Sequence, residues 1–516
     1  MNEIPAPEGT LTARYAHLGS GLIPVEPYIS AEYYEREKAH IFKKTWLQVG
    51  RVEEIPAAGD YFVKKLDACD TEVIVVRNKQ GQIRAMHNVC SHRLNQIAYD
   101  KTGHTRKFFC KFHGWAYDLD GKLTGVPDEK CFFGIDFKDY ALTRVACDVW
   151  QGFIFVNMDP DPKMSLDDFM KPMYGDIEGY PFDKMTVGFA WETVVDCNWK
   201  LALDAFQEAY HVAYVHGNSI ADAIDRSEGG SMPPLDALCG DLHRRLSLAG
   251  NQKSVYGNPK AVTSGGVAAS EALSDAGSKR PIAASALRAG IGSARHAFPL
   301  DALPKGVNWT QSANWLFDIN VVFPDFYLSL RPNYCQAYNF RPIAHNRTLL
   351  EARVYYPEMT TPGGRFFLEY MKVALRDVLL EDLSTLERTQ RAAETGVKKF
   401  MVLQDNELLV RHSYHVIERL LAEAEADAEG KAAVSKAEVV TESRSWNRQS
   451  SSCQSVRREP CRLHCPKCSA IWLVLSESGR CPPRPSATRN AIPSAWTRSS
   501  SSRTRCCRRS TRSLYG

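Results

Sequence analysis

Cys90-Ser91-His92-Arg93 and Cys110-Lys111-Phe112-His113-Gly114-Trp115-Ala116-Tyr117-Asp118 decide how this chain of 516 residues is read. Each stretch opens on a short clip of unlike metal ligands, CxH and CxxH, with seventeen residues between His92 and Cys110. The surrounding pattern is that of β-hairpin arms. Val73 to Arg77 leads into the polar turn Asn78-Lys79-Gln80-Gly81, and Gln82 to Val89 leads out of it to Cys90. Beyond the second clip the chain meets another turn at Asp120-Gly121.

Two thiolates with two neutral imidazoles form the donor set of a Rieske [2Fe–2S] cluster, whose imidazoles lift its potential above that of an all-cysteine cluster. Structural zinc takes the same ligand types. The flanking sequence favours the cluster: CSHR and CKFHGWAYDLDGKLTGVP closely resemble the Rieske domain of bacterial ring-hydroxylating oxygenase α subunits. One departure is Leu94, where that family usually has glycine. The resemblance implies that Cys90, His92, Cys110 and His113 hold the cluster and that the protein carries single electrons.

A second constellation lies downstream in Asn198-Trp199-Lys200-Leu201-Ala202-Leu203-Asp204-Ala205-Phe206-Gln207-Glu208-Ala209-Tyr210-His211-Val212-Ala213-Tyr214-Val215-His216. On a helix Glu208 and His211 share a face. His216, five residues on, does not, so it must reach a common metal from a frayed helix end, which Gly217 fits. Two imidazoles and one carboxylate make the facial triad of non-haem Fe(II) oxygenases, with positions left open for O₂ and substrate. Leu380-Glu381-Asp382-Leu383-Ser384-Thr385-Leu386-Glu387-Arg388-Thr389-Gln390 resembles the family's EDxxxxExxQ segment, whose aspartate is the ligand, and so nominates Asp382 beside His211 and His216. By the same resemblance, Glu208 bridges the Rieske histidine of one subunit and the first iron-binding histidine of its neighbour. Ring dioxygenases typically have aspartate there, and glutamate occurs in other branches, including oxidative demethylases. Ala205 stands where the family often has asparagine.

The motifs follow one another in α-subunit order over residues from about 40 to 420. The resemblance therefore implies an α+β protein: an N-terminal all-β Rieske domain, then an α+β catalytic domain whose antiparallel sheet is covered by helices. Expected boundaries are a helical lead-in at 1–45, the Rieske domain at 46–157, the catalytic domain at 158–428 and a tail at 429–516. Within these, a helix is expected over Ala31 to Lys44 with Ser30 as its cap, and another around Asp196 to Val215. Tyr338 to Pro342 should pair with Thr348 to Tyr356 through His345-Asn346, ahead of a long helix from Gly364 to about Thr395. The Ala/Gly/Ser-rich segment 217–304 reads as a mobile loop over a site or as a surface insertion.

The implied activity is that of a terminal oxygenase component, using O₂ to hydroxylate an aromatic or polycyclic small molecule. Ring cis-dihydroxylation is favoured over monooxygenation or N- or O-dealkylation. With no GxGxxG in the chain, NADH-derived electrons must arrive through a flavin reductase, a ferredoxin or both. Electron passage between neighbours implies an α3 homotrimer or an α3β3 assembly. Phe206, Tyr210, Tyr214, Phe317 and Phe323 are the candidates to face a flat apolar ligand, with core packing as their alternative. The rival readings are an electron-transfer-only Rieske protein and a zinc-stabilised binding module.

Composition agrees with a protein that has real cores: 44% of residues are hydrophobic and 10% aromatic. The net charge of +4 averages two unlike pieces. Residues 441–516 hold 15 Lys+Arg against 3 Asp+Glu, leaving 49 against 57 for residues 1–440. An acidic body gives no general reason to bind nucleic acid. Neither a run of eighteen apolar residues nor a signal-peptide core at the N-terminus is found, so a cytoplasmic enzyme without membrane attachment is expected. Seven of the fifteen cysteines fall in the tail and the rest lie scattered in the body, which is no disulfide framework. The tail's Arg/Ser/Pro/Cys-rich sequence reads as the disordered product of a reading-frame slip, with a basic arm or a zinc clip at His464, Cys465 and Cys468 as alternatives.

Overall fold

The computed structural model describes residues 5–217, 219–220, 234–251 and 298–428, all within one compact unit. The tail, and most of the Ala/Gly/Ser-rich segment, lie outside the described residues.

Three sheets make up most of the body. The first has seven strands in the order Leu47–Arg51, Phe153–Asn157, Arg144–Trp150, Ile83–His87, Thr71–Arg77, Asp60–Leu66 and Thr102–His104. Its central hairpin turns where the sequence places it: the Asn78 side chain accepts the N–H groups of Gln80 and Gln82, and Gly81 supplies a φ of +80°. A small sheet of Phe108–Phe109, Ala116–Tyr117 and Leu123–Gly125 carries the second ligand clip. The third sheet is antiparallel, with seven strands in the order Val187–Val195, Arg347–Tyr356, Cys335–Ala344, Phe326–Leu330, Trp315–Val322, Arg244–Ala249 and Asp236–Cys239. Its last two strands fall inside the segment read as a loop. In Arg244–Ala249 every residue is buried, because a strand covered on both faces needs no polar alternation.

The first and third sheets share a core. Trp46, Trp150, Phe153 and Phe155 pack with Phe169, Tyr174 and Phe182 against Phe326 and Leu328. Each large side chain removed from water in this way contributes about 1.5–3 kcal/mol.

The lead-in helix Ala31–Glu37 starts under the Ser30 hydroxyl, which accepts the Tyr33 N–H, and continues as a π-helical turn, Lys38–Phe42. Its last residue, Glu37, is fully buried and accepts from Lys200 Nζ at 2.6 Å and Trp199 Nε1 at 3.0 Å. The Asn-Trp-Lys sequence is thereby anchored to the N-terminal helix. Removing one partner of a buried pair of this kind costs about 3–5 kcal/mol.

Where one helix was expected around Asp196 to Val215, there are two short ones, Trp199–Asp204 and Val212–Val215. The break reconciles the five-residue histidine spacing with a common site. An unbroken helix would set His211 and His216 about 140° apart around its axis. Breaking it makes them instead the N-cap and C-cap residues of a single turn. The helix Pro362–Glu394 begins under the Thr361 side chain and runs the expected length.

His243 gives the fold a pH dependence. Its Nε2–H donates to the Phe169 carbonyl at 2.7 Å, while Nδ1 accepts the Phe323 N–H at 3.1 Å, so only the neutral ring satisfies both. Burial pushes the imidazole from 6.5 down to about 4. Between those values the unfolded chain binds the extra proton. The stabilisation is therefore complete above pH 6.5 and is lost as pH falls towards 4, about 3 kcal/mol in all. Thermal melts should show His243→Gln losing less stability than the parent between pH 7 and 4.5. Parallel losses in the two proteins would contradict this assignment.

Candidate metal centres and cavity

The two ligand clips form matching loops. Cys90 N–H bonds to Asn95 O and Leu94 N–H to Cys90 O, at 2.8 and 3.1 Å; Cys110 N–H bonds to Trp115 O and Gly114 N–H to Cys110 O, both at 2.8 Å. In each loop the fifth residue is left-handed, Leu94 at φ +61° and Gly114 at φ +71°. Glycine takes this conformation freely, whereas the exposed Leu94 carries a strain of roughly 1–2 kcal/mol. The departure from the family pattern at Leu94 thus changes the strain of the loop and leaves its shape intact.

Both sulfurs are buried among hydrogen-bond donors. Tyr117 accepts the Ser91 N–H at 3.1 Å, which directs its own hydroxyl proton to Cys90 Sγ at 3.3 Å. Burial opposes ionisation of Cys110, but the backbone N–H groups of Phe112 and His113 outweigh it and lower the thiol's pKa. The His92 ring stacks on Trp115 at 4.8 Å and lies 4.6 Å from the His113 ring. Burial, then His113 and Arg93, hold His92 below its ordinary value, in the neutral, ligating form. In both rings Nδ1 is buried without a hydrogen-bond partner. An orphaned nitrogen costs about 1–3 kcal/mol unless something occupies its lone pair. Two of them beside two buried thiols fit a cluster with imidazoles on one iron.

The second centre lies between the broken helix and the long one. Ligand atoms of His211, His216 and Asp382 lie within 4.8 Å of one another. Asp382 Oδ1 is 3.1 Å from His216 Nε2 and 3.5 Å from His211 Nε2. The outer nitrogens are held by two further carboxylates. Glu208 accepts from His211 Nδ1, and Glu381 Oε2 is 2.9 Å from His216 Nδ1 while also accepting from Ser219. These bonds aim both Nε2 atoms at one point, as partners of metal-bound histidines do. Burial alone would lower the His216 pKa, but Asp382 and Glu381 outweigh it and raise it, so the cluster favours positive charge. A two-imidazole, one-carboxylate donor set of this kind fits a divalent iron.

The Glu-Asp…Glu…Gln pattern is the register that holds the two segments together. Gln390 Oε1 accepts the Asn198 N–H at 3.0 Å, Glu387 Oε1 the Asp196 N–H at 3.5 Å, and Asp382, Leu386 and Gln390 lie along the buried stripe of the helix. Glu381 was present in the quoted motif, yet nothing in its spacing signals that it meets His216.

Beside the triad opens a cavity of about 150 Å³. Phe206 and Phe317 line it with Tyr327, Tyr334 and Tyr338; Tyr210, Tyr214 and Phe323 do not. Tyr210 and Tyr214 are instead 43% and 64% exposed, with their rings 6.1 Å apart. Phe323 follows the strand Trp315–Val322, six residues and roughly 20 Å beyond Phe317, and is buried in the core.

A mixed-ligand cluster domain joined to a two-histidine, one-carboxylate centre defines a class, and comparison with known sequences gives its family. Residues 45–145 match the Rieske [2Fe-2S] domain and residues 182–423 the ring hydroxylating alpha subunit (catalytic domain). The chain belongs to the Rieske ring-hydroxylating oxygenase α-subunit family. Among its relatives are the glycine betaine monooxygenase oxygenase subunit of Chromohalobacter salexigens, 32% identical over 42% of this chain and 48% of that one, and biphenyl 2,3-dioxygenase subunit alpha of Rhodococcus jostii, 31% identical over 42% and 49%. The chain spans about half the length of these curated relatives. A quaternary ammonium Rieske monooxygenase in complex with L-carnitine shares the fold at a TM-score of 0.57, 17% identical over 81% of this chain and 99% of the other. Naphthalene 1,2-dioxygenase from Rhodococcus sp. bound to indole does so at 0.56, 19% identical over 78% and 94%. Among the described residues, no helix is long and apolar enough to cross a membrane.

Proposed function

We propose that the protein is the terminal oxygenase component of a Rieske non-haem iron system and that it hydroxylates an aromatic or polycyclic small molecule by ring cis-dihydroxylation. The observation that carries this reading is the position of the His211–His216–Asp382 triad on the wall of an aromatic-lined cavity. When bound, the cluster would supply electrons singly and the lone Fe(II) would supply open positions for O₂ activation.

The chain's own residues do the rest. Cys90, His92, Cys110 and His113 hold the cluster, with Tyr117 fixing the Cys90 sulfur. His211, His216 and Asp382 hold the iron, with Glu208 and Glu381 setting the tilt of the two imidazoles. Phe206, Phe317 and the tyrosines exclude water and position a flat substrate. Electrons come from NADH through a ferredoxin or flavin reductase. Exposed Val89, Leu94, Tyr99, Phe109 and Phe112 around the cluster loops offer an apolar surface for a neighbouring protein. Glu208 carries electrons between subunits of a trimer, with or without β subunits.

Monooxygenation is the second reading. It is favoured by glutamate at position 208 and by a relative named as a glycine betaine monooxygenase. Turnover under ¹⁸O₂ decides between them: two labelled oxygens in the product establish dihydroxylation, one establishes monooxygenation, and none with any aromatic tested overturns the oxygenase reading.

A further inference from the structure

We propose that Arg331 binds an anionic group of the substrate, a carboxylate or a sulfonate, inside the cavity that holds the triad. This rests on the oxygenase reading for the cavity's role. Arg331 is a cationic side chain in an otherwise largely apolar lining, and the lining carboxylates, Glu208 and Asp382, are committed to the histidines. Among the described residues no carboxylate lies within ion-pair distance of its guanidinium, and its Nε is buried without a hydrogen-bond partner. Two other buried arginines also keep an Nε–H without a hydrogen bond, but each has a carboxylate partner. Arg341 meets Asp325 at 2.8 Å, and Arg245 meets Asp176 at 2.9 Å. Arg244, also without an ion pair, gives its Nε–H to Gln207 and lies outside the cavity lining.

The geometry of Arg331 is that of a recognition group. Its guanidinium lies 3.8 Å from the centre of the Phe317 ring and 5.1 Å from that of Tyr334, and stacking against two rings restrains its plane while leaving its N–H edge for a ligand. The backbone beneath it is pinned as well. Tyr180 Oη donates to the Arg331 carbonyl at 2.5 Å, and the Arg331 N–H donates to Tyr334 O at 3.2 Å. A guanidinium whose Nε–H is buried without a partner is costly, and a fork of N–H donors matches a carboxylate or sulfonate bidentately. The ring of the substrate would then rest on the aromatic wall while its acidic group is held by Arg331.

The test is equilibrium binding to the reconstituted holoenzyme, by calorimetry, of benzoate, benzenesulfonate and 2-naphthoate against the neutral benzamide and 2-naphthamide. At least one anion should bind about tenfold or more tightly than the neutral amides, and Arg331→Gln should abolish that preference while leaving amide affinity within about threefold. Arg331→Lys should restore part of it. Preference for benzoate or 2-naphthoate identifies a carboxylate, and preference for benzenesulfonate alone a sulfonate. Amides binding as tightly as the anions, no measurable anion binding, or a preference that survives in a folded, iron-replete Arg331→Gln protein would each overturn the proposal. Neutral aromatics oxygenated while anions are excluded would sink this inference and leave the oxygenase reading standing. Anions held through Arg331 with no oxygen incorporated would do the reverse.

Discussion

Asp382→Ala should leave the protein with about two irons per chain in place of about three, its cluster spectrum unchanged and its oxygenation at least about a thousandfold slower. Among the described residues Asp382 is the single carboxylate within 3.1–3.5 Å of both inward-facing imidazole nitrogens, and it is almost wholly buried, so no water can take its place freely. Two neutral imidazoles alone hold Fe(II) weakly. Replacing the partner of a metal-bound histidine typically costs about 10–100-fold, so loss of a ligand must cost more. The internal comparison is Glu381→Gln, which acts only through His216 and should fall in that smaller range. The cluster should survive both changes, because its four candidate ligands lie on the loops at Cys90 and Cys110, away from the long helix. Iron determination, the visible spectrum and turnover together check the expectation; an Asp382→Ala protein with three irons and parental turnover would refute the assignment.

Glu208→Gln should keep both metal centres and still slow turnover by more than about a hundredfold. Glu208 Oε1 accepts from His211 Nδ1, and Oε2 accepts the backbone N–H groups of Tyr210 and His211. An amide oxygen can replace an acceptor, but it has no negative charge to stabilise the imidazole proton. The informative measurement is stopped-flow absorbance. The donor protein should reduce the variant's cluster at the ordinary rate, while reoxidation in the presence of O₂ and substrate becomes the slow step. Glu208→Asp should recover part of that rate. A role confined to folding the turn would lower iron content or stability without changing the ratio of the two rates, and normal reoxidation in the Gln variant would remove Glu208 from the electron path.

Much of the architecture was legible because its signals are local. The Asn78–Gly81 turn, the Ser30 cap, the His345-Asn346 hairpin and the long acidic helix each depend on residues a few positions apart, and backbone hydrogen bonding fixes their shape. The histidine spacing was informative too. It called for a frayed helix end at His216, whereas the break after Asp204 came from the structure, where the segment enters with its Asn198 N–H held by Gln390 Oε1. Two strands of the third sheet, Asp236–Cys239 and Arg244–Ala249, were hidden within a segment whose average composition is that of a loop, since a short buried strand leaves little trace beside long polar neighbours.

By itself the sequence determined the identities and order of the candidate metal ligands, because Cys90, His92, Cys110, His113, His211 and His216 lie in short clips whose chemistry depends on residue type and spacing. Only the tertiary structure decided which groups serve those ligands. Glu381 turns to His216, Tyr117 to Cys90, and Arg331 comes to lie over Phe317 on the cavity wall. These pairings join positions fourteen to more than a hundred and sixty residues apart, across a sheet or between helices. Contacts at such separations are set by how whole faces pack, and no local pattern in the chain encodes which distant side chain will arrive.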